Sequence, residues 1–200
     1  MLLPELSRWK IDPNEGEITQ VLVYLAASEA GGLTDGKQTA CRGKWADWFC
    51  HILQQQNLQC KIVQDGRVFN ELMVHKLLWA CIFWMMSAAL GGMPVAAIVK
   101  NNKEDVEVLV AEFCKVIEAS GVLCTSGVGS MDIDAAVQAV IDYSLNIPAA
   151  VPSKEMAVRE WRWRNGWVLN QGSGLVEQPL HVKWLQRAGI SDDLLHERAS

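Results

Sequence analysis

The sequence is short of several things, and each shortage excludes something. It lacks a basic excess, since 18 Lys and Arg face 23 Asp and Glu for a formal charge of −5. Such a balance has no surplus to neutralise phosphates, so no nucleic-acid partner is expected. It lacks a C-x-x-C pair. None of its six cysteines, at 41, 50, 60, 81, 114 and 124, stands at zinc-finger spacing from a histidine, and the four histidines are scattered. No metal site is expected on that pattern. No G-x-G-x-x-G follows a strand-like stretch, so the dinucleotide fingerprint is missing and no cofactor site is expected in this chain. The opening MLLPELSRWKIDPNEGE has neither the basic cluster nor the apolar run of a secretory signal. With the cysteines read as structural thiols, a reducing compartment is expected and secretion is not. That means the cytoplasm or an organelle interior such as a plastid stroma or mitochondrial matrix. Tyrosine and phenylalanine are scarce, two and four, beside nine Trp. That imbalance points to contact surfaces as well as core.

Half of the 200 residues are apolar and a fifth are charged, enough to pack one domain, or one plus a fragment. Residues Ile18 to Ala27 read as a buried strand, followed by glycine-marked turns and a further strand up to residue 40. In KWADWFCHILQQQN, Trp45, Trp48, Phe49, Ile52 and Leu53 recur at three and four, which predicts an amphipathic helix with Gln and Asn on its other side. QCKIVQDGRVF predicts a short extended segment. From Leu77 to Val99 no charge occurs, a run long enough to span a membrane. Gly91, Gly92 and Pro94 interrupt it, and no aromatic belt closes its far end. A buried core helix is therefore the expectation, and membrane contact through 77–99 is not favoured. Beyond it, NKEDVEVLVAEFCKVIEASG, MDIDAAVQAVIDYSLN, SKEMAVREWRWRNGWVLNQG and EQPLHVKWLQRAG each carry a helical pattern. The first places Val106, Leu109, Val110, Phe113 and Ile117 on one face. The expected architecture is mainly α with a small β-containing N-terminal piece.

Few groups look chemical. Lys76 opens the longest apolar run, where burial disfavours the ammonium and suits a general acid. The plainer reading is a lysine snorkelling at a helix end. Glu160 stands between Arg159 and Arg162 as an ion-paired surface residue.

The order of the pieces adds a resemblance. ELMVHKLLWACIFWMMSAALGG, an acidic-start helix, PSKEMAVREWRWRNGWV and EQPLHVKWLQRAG together resemble the C-terminal helical domain of the ketopantoate reductase family. Lys76 occupies the position of that family's catalytic lysine. Pro152-Ser153 matches its P-S pair, Glu160 with Asn165-Gly166 its E-x-x-x-x-N-G, and Pro179 the proline opening the last helix. VLVYLAASEAGGLTDGKQTACRG is similar to the strands that close its nucleotide-binding domain. The resemblance implies a helical domain like the C-terminal domain of 6-phosphogluconate dehydrogenase over 41–190. It also implies a remnant of strands and turns over 1–40, and the residues themselves give a polar tail over 191–200. By the same resemblance Ser153, Glu160 and Asn165 are substrate-binding positions. Two positions depart from the family: asparagines that hold substrate and cofactor are replaced by Ala80 and Trp84. The family's Rossmann domain has no counterpart here. The expectation is a non-catalytic subunit, structural or interacting, accessory to a larger assembly that is membrane-associated only if 77–99 faces lipid. Trp79, Trp84, Trp161, Trp163 and Trp167 are its expected partner contacts. The alternative is an NADP-dependent 2-oxoacid reductase whose nucleotide half comes from another chain. A third reading is a small-ligand carrier built around Lys76 and Glu160.

Overall fold

A computed structural model describes residues 18–27, 32–121 and 130–195. Among them helix dominates, 62% against 9% strand, so the fold is mainly α with a small sheet near the N-terminus. The chain divides into two compact units, one ending at Val74 and one beginning at His75.

The first unit contains β1 (Gln20–Leu22), β2 (Leu25–Ala27), β3 (Leu33–Asp35), β4 (Thr39–Arg42), α1 (Ala46–Gln55), β5 (Cys60–Ile62) and the first turns of α2 (Gly66–Ala89). Strands β4 and β5 run parallel, Thr39 opposite Cys60 and Cys41 opposite Ile62, with α1 as the crossover between them. β1 pairs antiparallel on the other side of β4, and β2 and β3 form a separate antiparallel ribbon. The single strand expected over 18–27 is thus two short ones. Tyr24 separates them: its backbone N–H donates to Thr39 Oγ1 (3.0 Å) and its phenol to the Leu72 carbonyl (3.1 Å). A side chain has taken the place of a ladder partner, and the chain leaves the sheet there.

Helix α1 turns a different face inward from the one its periodicity suggests. Ala46 and Cys50, one turn apart, are buried against Cys41, with Val21 and Cys60 at the margin. Trp45, Trp48 and Phe49 are exposed, at 57%, 58% and 37%. Only small side chains let the helix approach the β4–β5 surface closely, so packing distance overrode hydrophobicity. Because α1 and β5 pack with β4, the sheet-bearing unit extends to residue 74.

The second unit holds the remainder of α2, then α3 (Val95–Asn101), α4 (Lys103–Ala119) and α5 (Ile133–Asn146). Next come α6 (Lys154–Arg159), a 3-10 turn (Trp161–Trp163), α7 (Asn165–Gly172), α8 (Pro179–Arg187) and α9 (Asp192–Leu195). Helix α2 is long and apolar enough to cross a membrane, yet every residue from Cys81 to Ser87 is buried within the protein. A helix apolar on all sides is what such complete enclosure requires. It ends where the glycines predict, Gly91 and Gly92 both having positive φ, and Pro94 stands at the N-cap of α3. In α4 the predicted face, Val106, Leu109, Val110, Phe113 and Ile117, is buried. Cys124, Trp9 and the tail beyond Leu195 lie outside the described residues.

Gly43, between β4 and α1, adopts φ +105°, and a Cβ there would fall on the Ile18 carbonyl. Gly43→Ala is expected to lower stability by more than about 1 kcal/mol, read from the urea midpoint by circular dichroism. An unchanged midpoint would show that the turn relaxes freely.

Candidate functional site

Lys76 lies on α2, partly buried. Burial, then the cation of Arg164, draws its ammonium down from 10.5 to about 8. Its Nζ stands 5.4 Å from the ring centre of Tyr143 on α5, whose own phenol is pushed up to about 12 by burial. Arg164, just before α7, donates from Nε and Nη2 to Glu160 Oε2 at 2.7 and 2.6 Å. Trp79, one turn along α2 from Lys76, packs against Tyr143 and Phe83 at 4.7 and 5.6 Å between ring centres. Its indole N–H donates to Ser144 Oγ at 2.9 Å. One cation, a carboxylate paired to it, and aromatic rings thus stand near the lysine.

Asn165 belongs to a second, deeper arrangement. Its Nδ2 donates to the Cys81 carbonyl (3.2 Å) and its Oδ1 accepts from Trp84 Nε1 (2.7 Å). The same amide nitrogen stands 2.9 Å from His181 Nε2, and His181 Nδ1 stands 2.9 Å from Gln178 Oε1. These partners assign the tautomer: Nδ1 carries the proton and donates to Gln178, leaving Nε2 to accept from Asn165. Gln178 Nε2 donates onward to the Val168 carbonyl at 3.3 Å. Glu112, from α4, accepts the backbone N–H groups of Leu180 and His181 at 3.1 and 3.0 Å, capping α8. Full burial holds His181 neutral, with its pKa lowered to about 3.

Of the residues singled out in the sequence, Lys76 and Glu160 are linked through Arg164, whereas Asn165 is engaged in the core. Ser153 is exposed at the start of α6, where its Oγ accepts the Met156 N–H at 3.2 Å as an N-cap. Ala80 is half-buried and Trp84 fully buried. The tryptophans expected to contact a partner differ in burial. Trp84, Trp161 and Trp167 are buried in this chain's own core. Trp79 and Trp163 are half-buried, the latter under the Arg162 guanidinium at 4.2 Å. The most exposed tryptophans described are Trp45 and Trp48.

Sequence reasoning missed Arg164, Tyr143, Glu112, His181 and Gln178 as interacting groups. Glu112 alone left a signal, a carboxylate within the apolar face of α4. It also missed a cysteine cluster in the first unit. Cys50 and Cys60 are joined as a disulfide, and Cys41 Sγ lies 3.3 Å from Cys60 Sγ. The reading of free core thiols holds for Cys81 and Cys114, both unpaired and buried. A cavity of about 280 Å³ bordered by Gln178, Gln186 and Asp192 includes none of the predicted site residues in its lining. No family model matches the chain, and no curated protein sequence matches it.

Two titrations test this description. Arg164→Gln is expected to raise the Lys76 pKa from about 8 towards 10.5 without reaching it, because burial is the larger cause of the shift. A 13C titration of the lysine ε-methylene reads it, and a value unmoved by the substitution would remove Arg164 from the site. For His181, the unfolded chain takes up a proton near pH 6.5 that the native imidazole refuses down to about 3. Stability is therefore full above about 6.5 and falls with pH through that window, by up to about 1.4 kcal/mol per unit. His181→Gln is expected to flatten this slope in urea midpoints measured across the window. A slope identical to that of the parent protein would contradict a neutral buried His181.

Proposed function

We propose that this chain is a non-catalytic subunit, structural or protein-interacting, whose helical unit is related to the C-terminal domain of the ketopantoate reductases. It serves as an accessory part of a larger assembly. The observation that carries the reading is the contact between Trp84 and Asn165. At the position where the family places a ligand-holding asparagine, this chain has an indole. At the position of a family site asparagine, Asn165 has its amide engaged by that indole, Cys81 and His181. Ala80, at the other replaced position, offers neither donor nor acceptor. Groups that would hold a 2-oxoacid and a nicotinamide have become groups that hold one helix to the next, so the residues do not fit NADP at those positions. The exposed aromatic face of α1 supports the interaction side of the reading, because Trp45, Trp48 and Phe49 present the residue types enriched at interfaces.

The alternative, an NADP-dependent 2-oxoacid reductase whose nucleotide half comes from another chain, draws support from one observation. A half-buried lysine with a pKa near 8 beside an arginine is suited to hold a carboxylate and to donate a proton.

Both readings meet in one experiment. The chain is purified from its native source with whatever accompanies it and assayed for NADPH oxidation with ketopantoate. The proposal expects a stoichiometric assembly, no oxidation above background, and a Lys76→Ala variant that still assembles. Turnover that Lys76→Ala abolishes would establish the reductase and end the non-catalytic reading.

A further inference from the structure

The crossover of the first unit brings three sulfurs together from three different elements. Cys41 is on β4, Cys50 on α1 and Cys60 at the start of β5. The register explains the meeting. Cys60 lies opposite Thr39 and Cys41 opposite Ile62, so with two-residue periodicity Cys41 and Cys60 point from the same face of the sheet. Helix α1 covers that face and supplies Cys50 through its small-residue stripe. The three Sγ atoms all lie within 4.8 Å of one another. Cys41 is fully buried, Cys50 nearly so, and Cys60 partly open to solvent.

A structural cross-link needs two cysteines. A third, held at 3.3 Å from one of the bridged sulfurs, has no part in that bond and leaves a donor set of three. Metal–thiolate bonds of about 2.3 Å place ligand sulfurs roughly 4 Å apart around one ion, within the spread this cluster already has. The donor chemistry selects the ion. Thiolates are soft ligands and prefer thiophilic closed-shell cations to hard ones. Among the described residues no histidine or carboxylate joins the group, so the protein offers three sulfurs only. Three donors complete a trigonal site for Cu(I). Zn(II) would take a fourth, external ligand on the open side near Cys60.

We propose that Cys41, Cys50 and Cys60 form a three-thiolate site for one thiophilic d10 cation, Cu(I) or Zn(II), opened by reduction of the Cys50–Cys60 disulfide. In the opening step a dithiol reductant delivers two electrons and two protons. The Cys50–Cys60 bond breaks to two thiols and the reductant closes to its own disulfide. The cation then replaces the thiol protons, which pass to solvent. Oxidation closes the site by removing two of its three donors. The proposal rests on the first unit alone and does not depend on the reductase-like reading of the second.

The test uses the full chain, reduced with a dithiol and separated from it under argon. Portions are titrated with Cu(I) and with Zn(II), each against a chromogenic chelator. One equivalent of either cation is expected to transfer from chelator to protein, with ultraviolet thiolate-to-metal absorption in the copper arm. Cys60→Ser, at the partly exposed position, is expected to keep the far-ultraviolet circular dichroism of the parent and bind more than about tenfold more weakly. Cys41→Ser is expected to weaken binding likewise, and the air-oxidised parent to bind neither ion. Failure of both cations to leave the chelator would overturn the proposal. So would binding that survives both serine variants.

Discussion

The helical unit is organised around the demand of one buried amide. Asn165 is excluded from water, and a buried amide left without partners costs on the order of 1–3 kcal/mol for each unmet group. It meets that demand with groups from α2 (the Cys81 carbonyl and the Trp84 indole) and from α8 (the His181 imidazole). Those contacts fix three helices at one point, because hydrogen bonds constrain direction where apolar contact constrains only distance. The requirement propagates outward. His181 must stay neutral to accept from Asn165, Gln178 must fix its tautomer, and Glu112 must hold the first turn of α8 in place. No buried side-chain nitrogen or oxygen among the described residues is left without a partner.

This constraint gives the Asn165-Gly166 pair a structural explanation in its own right. Asparagine is needed because it both donates and accepts. Glycine is needed next to it because a Cβ at 166 would collide with the Trp161 indole. The pair therefore serves the core. Lys76 is held differently. Its lowered pKa arises from burial and from a neighbouring cation that is itself tied to Glu160. The lysine has a pKa suited to proton transfer while the asparagine is engaged in the core, and the two readings of the chain divide along that line.

The helical half of the fold was legible because it rests on periodicity. The α4 face, the break at Gly91-Gly92 and the Pro179 start of α8 follow from spacing and backbone sterics, both local. What was not legible depends on distance between elements. On α1 the aromatic members of the apolar stripe stayed outside because Ala46 and Cys50 permit closer approach to the sheet, and a one-dimensional pattern contains no packing distance. The cysteine cluster has nine- and ten-residue spacings that match no motif, and it exists only through the parallel register of β4 and β5. At the candidate site, Lys76 and Glu160 could be named from sequence, but the residue between them, Arg164, was invisible among several arginines. The buried contacts of Asn165 with Trp84, Cys81 and His181 left no sign in the sequence, since a sequence position does not say whether an amide faces a ligand or a neighbouring helix.

The tryptophan excess follows from the same physics. An indole adds a large apolar area to a core, but its N–H must find an acceptor when buried. Trp84 finds Asn165 and Trp184 finds Asp105, while half-buried Trp79 finds Ser144. Each acceptor lies 65 or more residues away in sequence, so the pairing is not foreseeable from local pattern. Each also couples two helices that apolar packing alone would let slide. A core of this kind exchanges some hydrophobic freedom for orientation. Its mark in a sequence is an abundance of tryptophan together with Asn, Ser and Asp at positions that periodicity turns inward. Exposed Trp45 and Trp48 break that rule, having no interior to enter on a helix whose inner face admits only alanine and cysteine. Tryptophan count by itself therefore says little about binding surfaces. The informative tryptophans are those on a face that packing has refused.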